Sequence, residues 1–157
     1  MKLKTKSKVK VNTMNQEEYS KWIKNVSIAY LATYDSFNNQ PHVRPVDAGT
    51  VHNGYIYFST FSNTDKVEQI RTCENVELTY FGDGAQLRMA GKAKRVSEKK
   101  EEDLFLENNP MIKETFSNEK RNQFVLFQVT PHAVRFMGEE DHQYSPVDWK
   151  QTDRIGM

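Results

Sequence analysis

Apolar residues in this chain recur mostly at every second position, in short runs parted by turn residues, and only briefly at helical spacing. Near the start, Asn15 and Glu18 form a capping pair, and Tyr19, Trp22, Ile23 and Val26 follow on one helical face, which predicts a first helix over residues 15–25. Residues 27–34 read as a strand with two rather apolar faces, and residues 41–46 open another. The dipeptide Asn53-Gly54 then turns the chain, because both residues accept the positive φ of a type I′ turn, and residues 55–60 return. These two strands form the expected central hairpin. A short helix over residues 64–73 follows, then an alternating strand over 76–81 and a turn at Gly82-Asp83-Gly84.

The next strand, residues 85–96, alternates Leu87, Met89, Gly91 and Ala93 with Gln86, Arg88, Lys92 and Lys94, so one of its faces is polar. Ser97 is read as the cap of a helix reaching residue 107, and Pro110 separates it from a helical turn ending near Phe116. Residues 124–129 and 133–137 are the last strands, broken or bent at Thr130-Pro131. About six strands in consecutive hairpins, with short helices between, give a mainly β chain: a small antiparallel barrel, because a parallel sheet needs regular crossover helices. The division expected is a basic N-terminal tail (1–14), one domain (15–138) and a polar C-terminal arm (139–157), whose Tyr144, Pro146 and Trp149 suggest an arm laid on a partner.

Composition narrows the function. With 22 Lys plus Arg against 21 Asp plus Glu, the net charge of +1 provides no field to gather nucleic acid. No stretch approaches the ~20 apolar residues of a membrane span, and the lysine-rich start lacks the apolar region of a secretory signal, so a soluble cytoplasmic protein is expected. The single cysteine, Cys73, forms no internal disulfide and reads as a small packing residue. Histidines 42, 52, 132 and 142 lack metal-ligand spacing, and no nucleophile elbow or glycine-rich nucleotide loop is present.

One stretch does carry candidate chemistry. After Ser59 and Thr60, the loop 61–66 places hydroxyls, an amide, free N–H groups and the Lys66 ammonium where a strand hands over to a helix N-terminus. That is a favourable place for a phosphate dianion. By loop chemistry alone, Ser62, Asn63 and Thr64 could equally turn the chain and cap the helix, with Lys66 in solvent.

Five strings in order, residues 29–33, 40–46, 56–60, 64–70 and 87–93, resemble the FMN-binding split barrels of the pyridoxamine 5′-phosphate oxidase superfamily. The nearest likeness is to its small general-stress-protein and nitroimidazole-reductase-like members. The resemblance implies a six-stranded antiparallel Greek-key split barrel, with FMN at the interface of a homodimer. Arg44, Pro45 and Val46 would lie along the flavin, Ser59 and Thr60 would touch flavin and ribityl phosphate, and Thr64 and Lys66 would hold the phosphate. Gln86 and Arg88 would reach the cofactor from the polar strand face.

Departures from the family pattern stand at Asp65, where the oxidases proper carry a second cation, and at Gly49, where they carry a substrate-binding lysine. Vitamin B6 oxidation is therefore not the expectation. An FMN-dependent reductase is expected, taking electrons from NADH or NADPH to a small acceptor, with no catalytic protein residue identified. Non-catalytic FMN binding for storage or stress protection, and a barrel holding haem or a deazaflavin, are the alternatives.

Overall fold

A computed structural model describes residues 14–152. The N-terminal lysine-rich tail therefore lies outside the described residues. Helix α1 (Gln16–Val26) starts with the full reciprocal capping box between Asn15 and Glu18 and buries Tyr19 and Ile23. Strands β1 (Ile28–Asp35), β2 (Gln40–Asp47), β3 (Thr50–His52) and β4 (Tyr55–Phe61) follow, then α2 (Asp65–Thr72), β5 (Asn75–Gly82) and β6 (Ala85–Arg95). Helices α3 (Lys99–Glu107) and α4 (Pro110–Thr115) and a 3₁₀ turn (Asn118–Gln123) lead to β7 (Phe124–Met137) and β8 (Ser145–Val147). Among the described residues no helix is long and apolar enough to cross a membrane.

All strands join one antiparallel sheet in the order β2-β1-β5-β6-β7-β4-β3, with β8 on β7. The sheet curls so that its edge strand β2 comes beside β4, where residues 58–61 run past the short edge strand β3, yet no ladder joins β2 to β4. This is a split barrel: six long strands and two of three residues. Its interior is filled by the inward set of each strand, including Leu31, Phe58, Leu78, Leu87, Met89 and Phe127, and α1 closes one end by Tyr19 and Trp22 against Phe136. A second apolar cluster lies outside the barrel, where α3 and α4 cover β4 and β7 through Tyr57, Phe105, Leu106 and Phe116.

The Asn53-Gly54 turn forms with positive φ at both residues, as the sequence implies. Its partners differ from the expected hairpin. The turn joins β3 to β4, while residues 41–46 pair with β1. The cause is a break at Ala48, whose N–H donates to the Ser27 carbonyl at 2.8 Å and whose carbonyl accepts the fully buried Tyr80 hydroxyl at 2.6 Å. Those two bonds end β2 and send the chain to the opposite edge.

Two further expectations change. Glu98, not Ser97, precedes α3, because residue 98 is still extended. The last strands are one, since β7 runs through Pro131 by a register shift against Gly91, where a Cβ would come within 2.5 Å of the Thr130 carbonyl oxygen.

The C-terminal arm folds back on its own barrel. Trp149 Nε1 donates to the Gly54 carbonyl at 2.8 Å, Thr152 N–H donates to the Asn53 carbonyl at 3.1 Å, and Gln16 exchanges two hydrogen bonds with the Lys150 backbone. Gly54 sits under this clasp at φ +82°, and a Cβ there would lie 2.2 Å from the Lys150 carbonyl oxygen. Gly54→Ala should therefore cost about 2 kcal/mol or more, from backbone strain plus a displaced arm. Gly84→Ala, at φ +74° but facing only the flexible Glu139 side chain, should cost about 1 kcal/mol. Urea unfolding of the two variants checks the order; equal losses would mean that the arm does not press on the turn.

Candidate functional site

The seam between β2 and β4 gathers polar side chains that the rest of the interior lacks. Unpaired edge strands leave backbone N–H and C=O groups pointing into the gap, and here side chains add charge. Arg44 lies opposite Leu31 in the β1–β2 register, so its side chain shares the inward face. Its Nη1 donates to Thr33 Oγ1 at 2.7 Å and its Nη2 to Gln69 Oε1 at 2.9 Å. Thr33 in turn donates to Gln69 Oε1 at 2.6 Å, and both of these residues are buried. The guanidinium is thereby fixed in one orientation with donors left over for a ligand.

On the other bank, Lys66 Nζ donates to Thr60 Oγ1 at 2.9 Å, and the hydroxyls of Thr60 and Thr64 are 3.1 Å apart. Thr64 donates to the Phe61 carbonyl at 2.9 Å and makes no side-chain cap to α2. The bland reading of this loop, a capping residue beside a solvated lysine, therefore does not describe it. The Thr64 hydroxyl belongs to the seam, and Lys66 is half-buried.

Burial is the main cause that lowers the proton affinity of both Arg44 and Lys66. For Lys66 the nearby Arg44 charge adds to it, while Asp65 opposes both effects. Neither cation has an ion-pair partner among the described residues. Two cations that repel each other, partly desolvated and short of a carboxylate, are stable companions for a multivalent anion. A phosphate group fits that donor set.

The other expected site residues are placed differently. Val46 is buried toward the core, and Pro45, opposite Tyr30, faces outward, so only their backbones border the seam. Ser59 alternates away from Thr60, onto the face of β4 that α3 and α4 cover. Gln86 and Arg88 stand on the outer face of the sheet, away from Arg44. There Gln86 Oε1 accepts the Tyr144 hydroxyl at 2.5 Å, and Arg88 pairs with Glu77 at 2.7 Å under the Tyr144 ring.

Thr33 and Gln69 were not among the expected site residues. The signal was present: each is a lone polar residue on an otherwise apolar inward face, beside Leu31 and Ile70 respectively.

Because Lys66 binds its proton less tightly in the folded chain than in the unfolded one, its charge opposes folding at neutral pH, and the penalty fades as pH rises toward the ordinary lysine value. Lys66→Met should leave the ligand-free protein at least as stable as wild type near pH 7, while abolishing the rise in melting temperature that inorganic phosphate gives the wild type. Thermal melts at two phosphate concentrations test this; equal phosphate stabilisation of both forms would detach Lys66 from the anion site.

The sequence profile of the pyridoxamine 5′-phosphate oxidase family matches residues 16–138. Among curated proteins none matches the sequence significantly. Solved structures share the fold at low identity. A NimC/NimA family protein from Clostridium acetobutylicum superposes with TM-score 0.69 at 21% identity, over 82% of this chain and 91% of that one. General Stress Protein 26 from Bacillus anthracis gives 0.63 at 16%, over 82% and 98%. A FAD-binding protein from Mesorhizobium loti gives 0.61 at 15%, over 78% and 94%. With the profile spanning the whole barrel and the split between β2 and β4 in place, the chain belongs to the pyridoxamine 5′-phosphate oxidase family.

Proposed function

We propose that the protein is a homodimeric FMN-binding oxidoreductase that carries electrons from NADH or NADPH to a small-molecule acceptor. The observation that carries this is the Arg44 and Lys66 pair, half-buried in the seam without a carboxylate partner. In this reading the two cations and the Thr60 and Thr64 hydroxyls hold the phosphate, and Thr33 with Gln69 keeps Arg44 aimed at it. Backbone groups of Pro45 and Val46 on the free edge of β2 meet the polar rim of the ring. FMN supplies reversible electron transfer when bound, and the protein supplies binding, orientation and charge. Family membership and the FAD-binding neighbour support a flavin.

The dimer rests on the outer face of β1, β2 and β5, where Ile28, Tyr30, Val43 and Phe81 are large, apolar and exposed, Val43 at 68%. A face of this kind, rimmed by polar residues, marks an interface. Gln86 and Arg88 lie on the same outer face, so a partner docked there would approach them. Their reach to a cofactor is in this reading across the interface, with Tyr144 and Glu77 holding them in place.

The purified protein should show the paired near-ultraviolet and blue absorption bands of flavin, which NADH or NADPH bleaches without oxygen. Flavin bands that persist would point to binding without turnover, and a Soret band to haem. Lys66→Ala removes a charge-assisted bond of a class worth about 1.5–3 kcal/mol, so FMN should bind roughly 10- to 150-fold more weakly. Riboflavin, lacking the phosphate, should bind both forms alike. Fluorescence titration of both flavins decides, and equal FMN affinities would remove Lys66 from the site.

For the dimer, Phe81→Asp should shift the sedimenting species to a monomer of about 18 kDa. A wild type that sediments as a monomer at micromolar concentration would refute the assembly.

A further inference from the structure

Beyond Arg44, toward the end of β2 away from Asp47, the next residue on the inward face is His42. It lies directly opposite Thr33, which places the two Cβ atoms about 5 Å apart. The Thr33 hydroxyl accepts Arg44 Nη1 at 2.7 Å, so the imidazole stands within about one side-chain length of the guanidinium. His42 Nε2 is 3.7 Å from Asp35 Oδ2, too far for a hydrogen bond but close enough for an ion pair once the ring is charged. The two side chains are 40% and 17% exposed, so water screens the pair only in part.

Asp35 is a fixed negative charge. Its Oδ1 accepts the Phe37 and Asn38 N–H groups at 3.0 and 3.2 Å, and its Oδ2 accepts Asn38 Nδ2 at 2.8 Å. The bond from the Asn38 side chain, above all, holds the carboxyl below the usual carboxylate range. This end of the anion site therefore carries a carboxylate that repels an incoming anion unless a cation offsets it. The other charges around it are Arg44 on β2 itself and, from α2, Asp65 and Lys66, which are both coupled to Arg44. Glu68 and Arg71 on the same helix pair with each other. Among the described residues the one ion-pair partner of Asp35 is His42. Histidine is also the side chain that ordinarily changes charge in the neutral range.

We propose that His42 is the third cationic member of the anion site and is recruited by proton uptake: an anion held by Arg44 and Lys66 draws a proton from solvent onto His42, which then pairs with Asp35 and offsets its repulsion. One proton moves to the ring, and no other covalent bond is made or broken. This role rests on the anion reading of the seam, and it makes affinity for a fixed dianion rise as pH falls through neutrality.

Sulfate is the probe, because it stays a dianion across that range whereas phosphate changes charge within it. Calorimetric titration of the full chain, in two buffers of different ionisation heat, counts the protons taken up on binding. Wild type should take up part of a proton per sulfate near neutral pH and bind about fivefold more tightly at about pH 6 than at about pH 8, the effect of one charge at side-chain distance in partly wet surroundings. His42→Gln should bind at the weaker, high-pH affinity throughout and take up no proton. Asp35→Asn, whose amide oxygen still accepts the Phe37 and Asn38 N–H groups, should already reach the tighter affinity at the higher pH. Proton uptake that survives in His42→Gln would put the proton on another group, Lys66 foremost, and overturn the role of His42. Sulfate binding by wild type that ignores pH also overturns it, while leaving the anion site standing. No sulfate binding at either pH would overturn the anion reading of the seam, and the role of His42 with it.

Discussion

The edge strand β2 and the part of β4 that the short edge strand β3 leaves uncovered lie side by side and do not pair, and the organisation of the molecule depends on that gap. An unpaired edge is a hazard, since its backbone groups seek partners. Here the edges are turned toward each other, roofed by the start of α2 and bounded by the β2–β3 turn. The break at Ala48 creates this arrangement: its two backbone bonds, to Ser27 and Tyr80, take the chain off the β1 edge and across to β4. A straight hairpin from residue 41 to residue 60 would have sealed the barrel and left no site.

Within the gap, charge is set against stability. Arg44 and Lys66 are both partly desolvated and the Arg44 charge disfavours that of Lys66, at a cost the fold does not recover through ion pairs among the described residues. What it provides is orientation, by the buried triangle of Thr33, Gln69 and Arg44 and by the hydroxyl pair Thr60 and Thr64. Such locally unfavourable clusters are characteristic of binding sites, which give up some stability for a preformed ligand cradle.

The C-terminal arm has a comparable role on the outer face. Tyr144 bonds Gln86 and stacks between Arg88 and Arg135, two arginines placed directly opposite each other on β6 and β7. Like charges in that position repel. Glu77 neutralises one, and the Tyr144 ring separates the two. Further along, Trp149 and Thr152 clasp the Asn53-Gly54 turn, so the arm holds the same hairpin that carries β4 to the seam.

Local chemistry in the sequence determined a good deal of this protein. Asn15 and Glu18 set the start of α1, Asn53-Gly54 set a turn that only positive φ can make, and period-two alternation set the inward faces of β5 and β6. The stretch from Thr60 to Lys66 also pointed to the polar cluster that forms there, because its hydroxyls and ammonium lie close together in the chain. Which strand lies beside which was not so encoded. Residues 41–46 pair with β1 rather than β4 because two long-range bonds at Ala48 outweigh the proximity of the turn. Thr33 and Gln69, 36 residues apart, become partners only when β1 and α2 pack together. Gln86 and Arg88 lie on the outer face of the sheet, away from Arg44, since their side depends on the register of β6 between β5 and β7. Sequence determines the elements whose partners are near in the chain, whereas contacts between distant segments are settled by the sum of packing and polar satisfaction over the whole barrel.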